Sequence, residues 1–326
     1  METPSDLALR EQFLREAPVA WESYMRQAQD LQGVHSFKLL NPEGTAENHY
    51  EFKMSGRNKL YYLTKQRHME GATDYHTFWV FAINPKYTFG LTRKTPSSPW
   101  VVAELTLDDP DPEASFQINY SEMKPAMSEL VRLENEPLID LIQKTGFRVI
   151  RCQQVTHRGE PMVEVAFDSP EKAEDGKRVF YAGRLVLDPR RYWGLRAYDV
   201  KEVFYKWHGT RRCENFEISE AANALPVPKR AVIHSDLIND EETRRKSERH
   251  LHFDFHVLQR LLPEEEFTLS AFGLPEPAGT GADPKLTLPL TEIVINDIVP
   301  NEEMEIPLGV QNSSTRPIRV VGLRPC

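Results

Sequence analysis

Cysteine is scarce in this chain: Cys152, Cys213 and Cys326 are the only three in 326 residues. An odd, sparse set excludes a disulfide framework, and the lack of any C-x-x-C pair excludes the usual zinc and thiol-redox spacings. Cys152 and Cys213 read as two buried thiols, with a strand-to-strand bridge as the alternative. A basic excess is lacking too. Lys and Arg number 40 against 49 Asp and Glu, a formal net charge of −9, so the electrostatic footprint of a nucleic-acid binder is missing. No apolar run reaches the length of a transmembrane helix. Met1-Glu-Thr-Pro-Ser-Asp-Leu7 has neither the charged nor the apolar region of a signal peptide, which taken literally points to the cytoplasm. There is no G-x-S-x-G, no phosphate loop, no H-E-x-x-H and no dinucleotide fingerprint. These absences favour a binding protein or scaffold over an enzyme, with no cofactor.

What the sequence has in quantity is β-strand. The stretch from Arg178 to Lys206 reads as two long strands rich in Val, Leu, Phe and Tyr, joined at Asp188-Pro189-Arg190-Arg191. Pro189 presets φ for that turn and Asp188 can bond its own backbone there. Similar segments recur at 34–40, 49–54, 59–65, 77–83, 87–92 and 100–107, and again from 147 to 258, separated by turn residues such as Asn84-Pro85-Lys86. Phe78-Trp79-Val80-Phe81-Ala82-Ile83 is apolar on both faces, so that strand has to be covered on both sides, by helices on one and by a loop, a partner or an apolar ligand on the other.

Two helical regions are predicted. In 5–32, Leu7, Leu14, Trp21 and Ala28 recur every seven residues with Ala17, Tyr24 and Leu31 beside them. Pro18 predicts a break or kink near Ala17, or a second helix starting at Pro18, and Gly33 a stop. In 121–145, Pro125 opens a helix carrying Leu130, Val131 and Leu133, and a second helix follows over 138–144. The expected fold class is α+β: a large curled antiparallel sheet, an incomplete β-barrel, covered by helices over residues 1–272. A Pro/Gly linker then spans 273–285, and 286–326 reads as a partial β-sandwich-like module that looks cut off at Cys326.

Several of these segments carry a resemblance. Ala20-Trp-Glu-Ser-Tyr24, Leu31-Gln-Gly-Val-His-Ser-Phe37, Gly183-Arg-Leu-Val-Leu-Asp-Pro189, Leu225-Pro-Val-Pro-Lys-Arg230 and Phe267-Thr-Leu-Ser-Ala-Phe-Gly-Leu-Pro-Glu-Pro277 together resemble the lipoprotein-carrier (LolA/LolB-type) superfamily over most of residues 10–277. That resemblance implies an incomplete barrel whose helices close an apolar cavity. It also implies a lipid, acyl chain or other apolar small molecule as ligand, and a periplasmic or envelope location. Residues 286–326, with Ile306-Pro-Leu-Gly-Val-Gln-Asn-Ser-Ser314, resemble the first half of an Ig-like repeat of bacterial envelope proteins, which implies an envelope protein partner.

Two sets of candidate site residues follow. Trp21, Phe78, Trp79, Phe81 and Trp193 are the large apolar side chains expected to line a ligand cavity, and each could equally be plain core. His250, His252, Asp254 and His256 alternate along one strand, so all four point to one face, where imidazoles at i and i+2 can share a metal. The alternative is the wet face of an amphipathic strand whose Leu251, Phe253, Phe255 and Val257 point inward. The function expected is a non-enzymatic, envelope-associated protein that sequesters an apolar ligand. Its rivals are a scaffold with a packed interior and a metal-binding protein built on the His250–His256 strand.

Overall fold

The computed structural model describes residues 4–42, 44–67, 78–107, 126–134, 136–169, 178–220 and 225–277. The long central hairpin is present, as β11 (Arg178–Asp188) and β12 (Gly194–Phe204). Its turn forms as the residues dictate, with the Asp188 carboxylate accepting the Arg190 backbone N–H at 3.1 Å. The chain leaves the turn through Tyr192 and Trp193, both left-handed at φ 59° and 52°.

The N-terminal strands are β1 (Leu31–Asn41), β2 (Gly44–Ser55), β3 (Asn58–Arg67), β4 (Phe78–Ile83), β5 (Tyr87–Arg93) and β6 (Val101–Leu107). A two-strand ladder, β7 (Arg132–Leu133) with β8 (Glu136–Pro137), stands apart from the main sheet. The remainder are β9 (Arg148–His157), β10 (Glu160–Asp168), β13 (Trp207–Glu220), β14 (Pro226–Asn239) and β15 (Arg244–Val257). Thirteen of these form a single sheet in the order β6-β5-β4-β3-β2-β1-β15-β14-β13-β12-β11-β10-β9. Every neighbour within it is antiparallel, and all but one follow each other in the chain. The exception is β1 on β15, which welds the first strand to the last, with Leu31 opposite Val257 and His35 opposite Phe253.

Sequence alternation settles the faces. On β15, Leu251 and Phe253 are buried while His252, Asp254 and His256 are exposed. One face, here called inner, carries the main core from Tyr50, Phe52 and Phe81 across to Val165, Leu185 and Ile233. It receives α1 (Pro4–Gln27), whose Phe13, Ala17, Trp21 and Tyr24 are buried at helical spacing. The helix is seated on the β9–β14 half of the sheet: the Tyr24 hydroxyl donates to the Pro226 carbonyl at 2.9 Å and the Trp21 indole to the Trp193 carbonyl at 2.9 Å. A 3₁₀ turn at Ala126–Val131 rests on β12 and β14, and the short α2 (Leu138–Gln143) buries Leu138 and Leu141 in the same core.

Several expectations are corrected. The α+β class with a helix-covered sheet does not hold. Among the described residues there are two α-helices, one of six residues, and most of the rest form one large open antiparallel sheet whose edges are β6 and β9. Of the helix pair expected over 121–145, the second forms as α2, while the described part of the first, residues 126–134, is a 3₁₀ turn and the start of the β7–β8 ladder. Pro18 does not break α1, which runs through it. Leu7 and Leu14 are exposed at 40% and 44%. A strict seven-residue stripe drifts about 20° per heptad from the face a straight helix buries, so its far end rotates out of contact. Gly33 stops nothing, lying inside β1.

The doubly apolar strand finds its second cover within the chain. Phe81 and Ile83 face the main core, while Val80 and Ala82 face a second cluster with Leu60, Phe89 and Leu91. That outer cluster is closed by a strap after β15, whose 3₁₀ turns Glu264–Phe267 and Leu269–Phe272 insert Phe267 and Leu269. Polar contacts hold the strap along its length: Leu262 N–H to Ser55 Oγ at 2.8 Å, Lys53 to Glu266 at 2.6 Å, and Asn84 Nδ2 to the Phe267 carbonyl at 3.0 Å. Cys152 and Cys213 are buried free thiols, and burial pushes the Cys213 thiol up to about 12. The linker beyond residue 277, the 286–326 module and Cys326 lie outside the described residues.

Candidate apolar-ligand site

On the inner face, β1, β2, β3, β4 and β15 bring aromatic rings into a continuous ladder. Register places His35 between Tyr50 on β2 and Phe253 on β15. Its imidazole stacks on Phe253 at 4.9 Å between centroids, within 8° of parallel, and on Tyr50 at 5.8 Å. Tyr50 meets Trp79 edge-on at 6.1 Å and Phe37 at 6.2 Å. Phe253 continues to Phe255 at 5.5 Å, Phe255 to Phe52 at 4.7 Å, and Phe52 to Tyr61 at 5.9 Å. His35, Phe37, Trp79 and Phe255 are only partly buried.

Gly33 makes this ladder possible. It lies on β1 directly between Phe52 and Phe255 in the register. With no side chain there, the two rings meet across the central strand. A Cβ at that position would stand 2.1 Å from the Asp254 carbonyl oxygen. The backbones are therefore closer than any other residue permits.

The ladder carries no charge near neutrality. Burial, helped by the nearby Arg249, His252 and His49, pushes the His35 imidazole down to about 3. Burial also drives the Tyr61 hydroxyl well above its ordinary range. A wide strip of stacked, neutral rings, several of them open at one side, can take up alkyl or ring surface without desolvating an ion.

Beyond the ladder on the same face lies a buried ionic cluster. Arg211 reaches Glu134 at 2.8 Å and Glu202 at 2.9 Å. Arg178 lies 3.1 Å from Glu202 and 3.7 Å from Glu134, and its guanidinium rests 4.8 Å over the Phe204 ring. Arg249 also pairs with Glu134. Glu202 is fully buried, and Glu134 enters from the β7–β8 loop with a left-handed φ of 52°. Burial by itself would raise the Glu134 carboxyl, but Arg211, Arg249 and Arg178 outweigh it and pull it down to about 2.

The residues singled out in the sequence fall into three places. Trp79 and Phe81 stand on the inner face of β4, Trp79 in the ladder and Phe81 beside it, opposite Tyr61. Trp21 and Trp193 meet each other under α1, with Phe13 against both rings at 6.2 Å and 5.7 Å, as close-packed core. Phe78 points to the other face, where its ring lies 5.6 Å from the Arg93 guanidinium. His250, His252, Asp254 and His256 share the outer face as their alternation requires. There His250 pairs with Glu248, and His256 Nε2 lies 2.5 Å from Gln32 Nε2. Among the described residues no three His, Cys, Asp or Glu side chains are grouped to hold a metal ion. The sequence reading overlooked His35, Phe37, Tyr50, Phe52 and Tyr61. The alternation of β1 to β3 was the available signal, but which face joined Phe253 and Phe255 depended on the β1–β15 register.

No family model matches the sequence. No curated protein matches it either. Solved structures do align with it: a DUF1329 family protein from Desulfovibrio piger is 9% identical, with a TM-score of 0.39 over 79% of this chain and 99% of that one. A protein from Vibrio parahaemolyticus described as an outer membrane lipoprotein-sorting protein domain is 11% identical, with a TM-score of 0.38 over 78% of this chain and 97% of that one. Likenesses at this level establish neither a shared fold nor a shared activity. Among the described residues no helix is long and apolar enough to cross a membrane.

Proposed function

We propose that this protein is a non-enzymatic binding protein of the cell envelope that holds an apolar ligand, an acyl chain or comparable lipid moiety, along the inner-face aromatic ladder. The observation that carries the reading is the run of mutually stacked rings from Trp79 through Tyr50, His35 and Phe253 to Phe255 and Phe52. The described helical cover is seated on the other half of the sheet. Tyr50, Phe52 and Phe253 are themselves buried. The partly buried His35, Phe37, Trp79 and Phe255 give the run an apolar edge of the kind an alkyl chain needs, since each methylene removed from water contributes about 0.8 kcal/mol. A chain of a dozen carbons could thus be held by several kcal/mol with no polar contact. The resemblance of the sequence to lipoprotein carriers agrees in ligand class and supplies the envelope assignment.

Trp79 is a partly buried member of the ladder, so a brominated acyl chain bound along it quenches its fluorescence through heavy-atom contact. Saturable quenching in the native chain, lost in Trp79→Phe, is the expected result. Quenching that survives that substitution would place the ligand elsewhere, and no saturable quenching would remove the acyl-binding reading.

A further inference from the structure

Along β15 the inner face changes character. Phe255, Phe253 and Leu251 are followed at the next inward position by Arg249. At about 3.4 Å per residue, Arg249 stands about 14 Å from Phe253 along the strand, which places a cation at one end of a strip built for an alkyl chain. Behind it are Arg211 and Arg178. Three guanidinium groups there make their direct ion pairs with two carboxylates, Glu134 and Glu202. Glu129 also acts on Arg249 from a greater distance, and it is shared with Arg132, which Asp140 faces as well.

The two carboxylates are not equivalent. Glu202 belongs to β12 and is fixed by the sheet. Glu134 comes from a loop, in a left-handed conformation that a glutamate adopts only at a cost in backbone strain. It touches all three arginines, whereas Glu202 pairs with Arg211 and Arg178. Meanwhile the Nε of Arg249 is buried with no hydrogen-bond acceptor among the described residues, so the cluster retains donor capacity that Glu134 does not use.

We propose that Arg249, backed by Arg211 and Arg178, is the headgroup site for an anionic amphiphile, a carboxylate or phosphate on a single long alkyl chain, and that Glu134 is the resident carboxylate which that headgroup displaces. The inference rests on the acyl-binding reading above and narrows it to acids. Carboxylate replaces carboxylate, so the arginines keep their charge-assisted hydrogen bonds, while the alkyl chain runs along the partly buried rings of Phe37, His35 and Phe255, in line with Arg249. An uncharged chain of equal length gains the ladder but cannot release Glu134.

The test is competition against a fluorescent acyl probe on the full chain, using dodecanoate, dodecyl phosphate, dodecanol and inorganic phosphate at neutral pH. Dodecanoate and dodecyl phosphate are expected to bind at least about tenfold more tightly than dodecanol, as a charge-assisted contact requires. Inorganic phosphate alone should displace nothing. Arg249→Gln should lower the two acids to the affinity of dodecanol and leave dodecanol unchanged. Glu134→Gln, which weakens the resident competitor, should tighten dodecanoate, a gain that a merely structural role for the cluster would not produce. Equal affinity for dodecanoate and dodecanol in the native chain overturns the headgroup site while leaving the acyl-binding reading intact. Displacement by inorganic phosphate alone would make it a free-anion site and overturn the amphiphile. Failure of every chain-bearing ligand, dodecanol included, would remove the acyl-binding reading itself and this inference with it.

Discussion

At the scale of single residues, the ladder depends on a position where no side chain exists. Gly33 sits in a gap where a methyl group would collide with backbone, which cannot yield as a flexible side chain can. Gly33→Ala should therefore force β1 from β15, separate Phe52 from Phe255, and cost at least the 1–3 kcal/mol (roughly) typical of overpacked sites. A chemical-denaturation midpoint that stayed within error of the native protein would show that the β1–β15 seam is looser than described. Glycine within a strand was legible in the sequence only as punctuation, and a helix stop was the natural inference. Its real role required knowing that the last strand pairs with the first, a contact across more than 200 residues that alternation alone does not reveal. The same holds for His35. A lone histidine among Val34, Ser36 and Phe37 gives no sign that its ring is stacked between two aromatics and held neutral.

At the scale of elements, local chemistry was the better guide wherever contacts are local. The β11–β12 hairpin forms almost where its residues predict, because Asp188, Pro189 and the strand-forming arms all act within a few residues of one another. Alternation also placed His250, His252, Asp254 and His256 on one face and Leu251 and Phe253 on the other. The failures come where tertiary packing overrides propensity. Pro18 remains helical because α1 is held by Trp21, Tyr24 and Phe13 against the sheet, contacts that outweigh a missing backbone donor. Residues 126–134 have helical composition but are drawn into a 3₁₀ turn and the start of a short ladder that deliver Glu134 to the arginines. The strap after β15 was recognisable as a stretch of its own, yet its role as the second cover of Phe78–Ile83 was not. Its anchor is Phe267, fully buried in the outer cluster. Phe267→Ala should cost about 3–5 kcal/mol, the usual penalty for emptying a buried phenylalanine site. The protease sensitivity of residues 258–277 should rise at the same time. Unchanged stability would mean that Val80, Ala82 and Phe89 do not rely on the strap.

At the scale of the whole molecule, the inner face combines a neutral aromatic half with a buried ionic end, and both respond to acid in the same direction. Glu134 titrates near 2 in the folded protein against 4.5 ordinarily, so its stabilising contribution is complete above pH 4.5 and disappears as the pH falls toward 2. His35 titrates near 3 against 6.5 ordinarily. Its neutral form belongs to the folded state, so stability tied to it is complete above pH 6.5 and declines as the pH falls from there toward 3. Urea midpoints should fall progressively below pH 6.5, and His35→Phe should flatten the part between 6.5 and 4.5 while leaving the steeper loss below it. A profile for that variant parallel to the native one would assign the acid sensitivity to other groups.

The account as a whole stands or falls on whether the protein holds a lipid. The direct measurement is native mass spectrometry of the full chain purified without detergent, followed by organic extraction of what travels with it. The account predicts an added mass of one amphiphile per chain, released on denaturation and acidic in headgroup. A bare protein mass, with no saturable uptake of a fluorescent acyl probe, would contradict it and leave the inner-face ladder as packed core.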